Sequence, residues 1–249
     1  MLTFAVLVER ARALVAGGRR AVLGITGAPG AGKSTLAQAL LAALAPAPPP
    51  GLPACGWVAH VPMDGFHLAD RELDRLGLRE RKGAPDTFDP LGYAALLRRL
   101  REDADDVVYA PGFERVLEQP LAGAIAVPRS ARLILTEGNY LLLDDPRWAR
   151  ARPLYDEVWF VELPDAERLR RLIERHVRFG KTEQAAVAWA TGTDERNAAL
   201  IAGTRARADL IVPAELIVPA ELIVPAGLVV DAPPSHPGQD ASGPGVASS

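Results

Sequence analysis

The hydrophobic positions change their period repeatedly along the chain. Phe4, Leu7, Val8 and Ala11 recur at helical spacing with Glu9, Arg10 and Arg12 between them, which predicts a first helix closed by Gly17 and Gly18. Ala21 to Thr26 is instead a continuous apolar run, the pattern of a parallel strand covered on both faces. Ser34 to Leu44, rich in Ala, Leu and Gln, reads as a helix, and the proline-rich stretch from Pro46 to Pro53 ends it and forms a surface linker. Trp57 to Val61, Arg132 to Thr136 and Glu157 to Val161 read as further buried strands. Asp89 and Pro90 open a helix through Leu100, and Arg168 to Val177 and Glu183 to Ala202 form two more. Val107 to Tyr109 and Ala124 to Val127 are weaker strand patterns that predict a hairpin on one edge of the sheet. Strands alternating with helices predict an α/β fold with a mostly parallel sheet.

Beyond Asp209 the hexapeptide Leu-Ile-Val-Pro-Ala-Glu begins at Leu210 and again at Leu216, then returns as Leu-Ile-Val-Pro-Ala-Gly at Leu222. Three short copies, each with a proline, are too few to stack a solenoid core, so they read as a duplicated terminal strand. The stretch 232–249 is Pro, Gly, Ser and Ala with hardly an apolar anchor and is expected to be a disordered tail after a single domain over 1–231.

Composition narrows the function. Lys plus Arg total 28 against 31 Asp plus Glu, a net charge of −3, so no broad positive field would gather nucleic acid or an acidic membrane, and any phosphate site must be local. No uncharged run approaches a bilayer span, and the apolar start Met1 to Val8 runs straight into Glu9 and Arg10 rather than a cleavage site. The single cysteine, Cys55, forms no internal disulfide and no Cys/His cluster has zinc spacing, which fits a reducing cytoplasm.

Chemistry enters where the first strand stops. Gly27, Ala28, Pro29, Gly30, Ala31, Gly32, Lys33 and Ser34 match the P-loop pattern between a strand and a helix. Its glycines let backbone N–H groups turn inward around the phosphates of ATP, and the following helix points its positive end at the same charge. Lys33 adds a point charge, Ser34 offers a hydroxyl to Mg²⁺, and Thr35 supports the same region. Asp64, just past the second strand, is the candidate general base for a hydroxyl nucleophile; His67 beside it reads either as a substrate contact or as a structural histidine at the turn. Glu137 ends an apolar strand in a Walker-B-like position and is the second candidate for the metal side and for a substrate hydroxyl. Arg171, Arg175 and Arg178 share spacings of three and four, so one helix face, within a basic lid at about 165–182, can neutralise transition-state charge. Together they predict phosphoryl transfer from Mg-ATP to a hydroxyl of a small metabolite. A nucleotide-dependent switch or ATPase without a small acceptor is the competing expectation.

As an ordered set, the sequence resembles the P-loop kinase family that includes uridine kinase, phosphoribulokinase and bacterial pantothenate kinase. The resemblance rests on Gly24 to Ser34, Pro62 to Leu68, Arg81 to Asp89, Ala110 to Arg115, Glu137 to Leu142, Arg175 to Lys181 and Ala208 to Val212. It implies a three-layer α/β/α fold around a five-stranded, mostly parallel sheet with a basic helical lid. It further implies that Asp86, Tyr109, Phe113 and Arg115 face the acceptor, that Asn197 and Arg205 lie near the adenine, and, since such kinases are often dimers, a homodimer. The surroundings of Asp64, Met63-Asp64-Gly65-Phe66-His67, lack uridine kinase's Ser-Phe-Tyr and look more like the pantothenate and sugar kinase branches.

Overall fold

The computed structural model describes residues 1–217. Helix α1 (Phe4–Ala13) starts where Thr3 caps it, its side chain accepting from the Val6 amide. Strand β1 (Ala21–Thr26) follows, buried along its whole length, and α2 (Lys33–Leu44) leaves the loop at its end. Next come β2 (Val58–His60), the short α3 (Asp70–Leu76) and α4 (Pro90–Glu102), the last capped by the Asp89 carboxylate on the Gly92 amide. Strands β3 (Val107–Glu114) and β4 (Gln119–Pro128) precede β5 (Leu133–Glu137) and β6 (Glu157–Glu162). Helices α5 (Asp165–Arg178), α6 (Glu183–Trp189) and α7 (Glu195–Ala202) lead to β7 (Leu210–Pro213).

The main sheet is five-stranded in the order β2-β5-β1-β6-β7, with every pairing parallel. Each central strand is therefore covered twice. Leu23 and Ile25 of β1 pack with Leu7, Leu36, Leu40 and Trp159 on the side of α1 and α2, while Val22 packs with Tyr93, Leu97, Trp148 and Ile201 on the side of α4 and α7. The result is a three-layer α/β/α domain of P-loop type. Because all strands run the same way, their carboxyl ends share one edge, the edge on which open α/β sheets bind ligands.

Several expectations shift. The hairpin does not extend the main sheet: β3 and β4 form a separate antiparallel pair that lies against the turn after β2. Gly65 in that turn permits the contact, since a Cβ there would sit 2.2 Å from the Pro111 carbonyl oxygen. The single helix expected over Glu183 to Ala202 is interrupted by a π turn at Ala190–Asp194, where Thr191, Gly192 and Thr193 weaken helix propensity. The first copy of the hexapeptide forms edge strand β7, and its anchor is Asp209, whose carboxylate accepts from the Val158 amide at 2.7 Å. The second copy begins in a turn at Ala214–Leu216; the rest of the repeat and the stretch 232–249 lie outside the described residues. Among the described residues no helix is long and apolar enough to cross a membrane.

Candidate active site

The sheet order explains the convergence of distant motifs. The loop after β1, Glu137 at the end of β5 and Asp64 after β2 belong to three neighbouring strands and so reach one place. There a cavity of about 460 Å³ opens, lined by Lys33, Ser34, Asp64, His67, Glu137 and Arg175 among others. Gly27 holds a φ of 148°, and a Cβ on it would lie 2.5 Å from the Val161 carbonyl oxygen, so that turn needs glycine.

Lys33 is 8% exposed and its ammonium donates to the loop's own Ala28 carbonyl at 3.0 Å. Burial lowers its pKa to about 8, against the opposing pull of Glu137. Ser34 donates its hydroxyl to Glu137 at 3.1 Å. Glu137 is 5% exposed; burial first, and the charge of Asp64 second, push it up to about 7. A buried carboxylate whose charged form burial disfavours, touching a serine hydroxyl and close to a second carboxylate, suits a divalent cation, which would favour its charged form. No cluster of three or more His, Cys, Asp or Glu that could hold a metal occurs among the described residues, so phosphate and water oxygens would complete such a site.

At the Asp64 end of the cavity, Arg115 approaches the Asp64 carboxylate at 3.3 Å, and its guanidinium lies 5.5 Å from the centre of the Phe113 ring. The loop carrying Lys82 and Gly83 is pinned from two sides: Lys82 pairs with Asp70 at 2.7 Å, and the Gly83 carbonyl accepts from Tyr140 and, at 3.3 Å, from Asn197.

The sequence-predicted residues do not all meet here. Of the three arginines proposed for α5, Arg175 lines the cavity, whereas Arg171 is paired with Glu167 at 2.8 Å and, like Arg178, lies outside the lining. Tyr109 points to solvent, and Asp86 pairs with Arg81 at 3.1 Å outside it. Asn197 and Arg205, expected to share the adenine, are separated. Asn197 lines this cavity, while Arg205, paired with Glu162 at 2.7 Å, lines a second cavity of about 720 Å³ across the phosphate loop. Ala28 and Ala31 face that second cavity and Pro29 the first. Also in the second cavity is Arg168, 1% exposed, held by Asp165 at 3.1 Å and Glu195 at 2.6 Å, with Nη1 buried and unpartnered among the described residues. Lys82 and Arg168 were within reach of sequence reasoning only as members of the Arg81-Lys-Gly motif and of the basic helix; neither carries a signal of its own.

The fold and the strand–loop–helix at its centre define a P-loop nucleotide-binding protein of the kinase type. Residues 6–48, which hold that centre, match the family described as methylmalonyl Co-A mutase-associated GTPase MeaB. Over the whole domain the likeness is to kinases. The chain is 32% identical over 220 residues, 83% of it and 88% of the relative, to the Schizosaccharomyces pombe protein named "Putative uridine kinase". It is 37% identical over 194 residues, 78% of each chain, to the Escherichia coli protein YggC. Among solved structures, the "putative fructose transport system kinase" of Silicibacter sp. TM1040 is 40% identical with a TM-score of 0.75, over 86% of this chain and 100% of that one. YFH7 of Saccharomyces cerevisiae, 19% identical with a TM-score of 0.69 over 85% and 98%, shares the fold. The chain belongs to the P-loop kinase family of these uridine-kinase-like proteins; some of its relatives are named ATP-dependent kinases, whereas YggC is named only as an uncharacterized protein.

Proposed function

We propose that the protein transfers the γ-phosphoryl group of Mg-ATP to a hydroxyl of a small metabolite. The observation that carries this reading is the meeting of Lys33, Ser34, Glu137 and Asp64 in one cavity with room left for an acceptor. The phosphates would lie in the loop after β1, with Lys33 leaving the Ala28 carbonyl for them, and the rest of the nucleotide would reach the second cavity, which Arg168 and Arg205 line. Ser34 and Glu137 are the residues that would hold Mg²⁺; when bound, the ion neutralises charge on the transferring group. Asp64 accepts the proton of the acceptor hydroxyl as its oxygen bonds to phosphorus and the bond to the departing ADP oxygen breaks. Arg175 meets the charge that spreads over the phosphoryl oxygens in the transition state.

The match of residues 6–48 to a GTPase family supports nucleotide binding and leaves a second reading, a nucleotide-driven switch without a small acceptor. ADP release from Mg-ATP against a panel of nucleosides, sugars, sugar phosphates and pantothenate separates the two. Transfer predicts turnover stimulated by one compound and lowered about 10²- to 10⁴-fold by Asp64→Asn, with nucleotide affinity nearly unchanged. Slow hydrolysis that no compound stimulates supports the switch.

A further inference from the structure

His67 carries more information than its place in the cavity. Its Nδ1 lies 2.8 Å from the backbone carbonyl oxygen of Asp64. A carbonyl only accepts, so Nδ1 holds the proton and, in the neutral ring, Nε2 is a bare lone pair. The ring has little freedom to do otherwise. Phe88, 5% exposed, stacks on it with centroids 3.9 Å apart, Phe113 closes in at 4.8 Å, and an antiparallel bridge between His67 and Phe88 fixes the backbone. Nε2 meets no hydrogen-bond partner among the described residues and is not among the sealed, unpartnered atoms; His67 lines the cavity that holds Asp64. Burial also lowers the ring's basicity, which keeps it neutral.

We propose that His67 is the specificity-determining residue on the acceptor side, its Nε2 accepting a hydrogen bond from a second hydroxyl on the acceptor, next to the one phosphorylated. This rests on the transfer reading above and sharpens it: the acceptor is a polyol presenting a vicinal or 1,3-diol, not a lone alcohol. Asp64 serves twice. Its carboxylate takes the proton of the reacting hydroxyl, and its carbonyl sets the imidazole that receives the neighbouring one, so a single turn, Met63–Phe66, places both acceptors. A site built to receive a hydroxyl discriminates against the analogue lacking it, because the imidazole lone pair is then desolvated and unmatched.

The test compares uridine, fructose, ribulose and pantothenate, each against its monodeoxy analogue, for stimulated ADP release by wild type, His67→Asn and His67→Gln. Asparagine keeps a donor near the Asp64 carbonyl but has no atom at the Nε2 position; glutamine places its amide there. The expected result is a wild-type preference for one diol over its deoxy analogue of about 10- to 100-fold in kcat/KM. His67→Asn should shrink it to within about threefold at unchanged ATP affinity, and His67→Gln should restore part of it. A His67→Asn variant that keeps the full preference overturns the assignment while leaving phosphoryl transfer intact. Wild type that no compound stimulates overturns the transfer reading and this acceptor role with it. Nitrogen-15 NMR of the imidazole gives a readout that needs no acceptor: an Nδ1–H tautomer is expected, and an Nε2–H tautomer overturns the proposal.

Discussion

The phosphate loop sits in an enclosed frame: β1 is buried along its length and Lys33 is 8% exposed. Helix α5, facing it, buries only Arg168 and Leu172 and turns most of its charge to water. The loop's turn at Gly27 is dictated by backbone sterics and packing. The helix balances itself: Arg170 pairs with Glu167 and Glu174, and Arg171 shares Glu167, at spacings of three and four. Such exposed pairs contribute little to stability, but they settle which cations remain for a ligand. A count of arginines therefore overstates the positive charge the site commands, and Arg175 is the arginine of this helix that lines the first cavity, with His176 beside it.

The largest effect should come from disturbing the enclosed side. Gly27→Ala puts a Cβ 2.5 Å from the Val161 carbonyl in a conformation L-residues avoid, so the loop must move or β6 must. We expect a loss of about 2–3 kcal/mol in urea unfolding and at least about 100-fold in nucleotide affinity. Glu167→Ala, which breaks two ion pairs on α5, should leave the melting temperature within about 2 °C of wild type. Equal losses in the two variants would erase the contrast.

Next in size is a split within the helix. Arg175→Ala should lower kcat about 100-fold under the proposed transfer, and Arg171→Ala by no more than about threefold, in steady-state assays with the stimulating acceptor. If the two fall together, α5 rotates on closing and brings Arg171 inward.

What the sequence revealed follows the same divide. The P-loop was legible because few residues satisfy its steric demands, and Asp64 and Glu137 were legible as carboxylates at strand ends of a mostly parallel sheet, although the strand order that makes them neighbours was not. The π turn at Ala190–Asp194 was only half legible, since Thr191, Gly192 and Thr193 mark a weak stretch of helix without saying how the chain passes through it, and Asn197, expected near the adenine, turns its amide to the Gly83 carbonyl. Glu167 stands four residues before Arg171, and no acidic residue stands three or four positions from Arg175, so the difference between the two arginines was present in the spacing, whereas the cavity that Arg175 reaches was not. Local backbone rules write themselves into residue types; the choice of side-chain partner is made in three dimensions.

The smallest effect, and the one that probes the enclosed side most finely, concerns Glu137. Its pKa in the fold, about 7, lies above its ordinary 4.5, so between those values the folded state binds more protons than the unfolded one. The contribution of Glu137 to stability then falls as pH rises from about 4.5 to 7, and above that its buried charge costs its full amount. Glu137→Gln removes the ionisation, so the variant should gain on wild type through this window and exceed it at pH 8 by on the order of 1–2 kcal/mol, measured by urea unfolding without nucleotide or Mg²⁺. The gain has a counterpart at Lys33. Glu137 supports the lysine's charge, so its removal pushes that pKa below about 8 and weakens triphosphate binding at alkaline pH, which a nucleotide titration from pH 7 to 9 would read. Mg-nucleotide should reverse the order of stabilities, because an ion beside the carboxylate favours the charged form that the empty pocket penalises. A glutamine variant that is less stable at pH 8 without ligand would mean that Glu137 holds the fold together through Ser34, and that its carboxylate is structural before it is chemical.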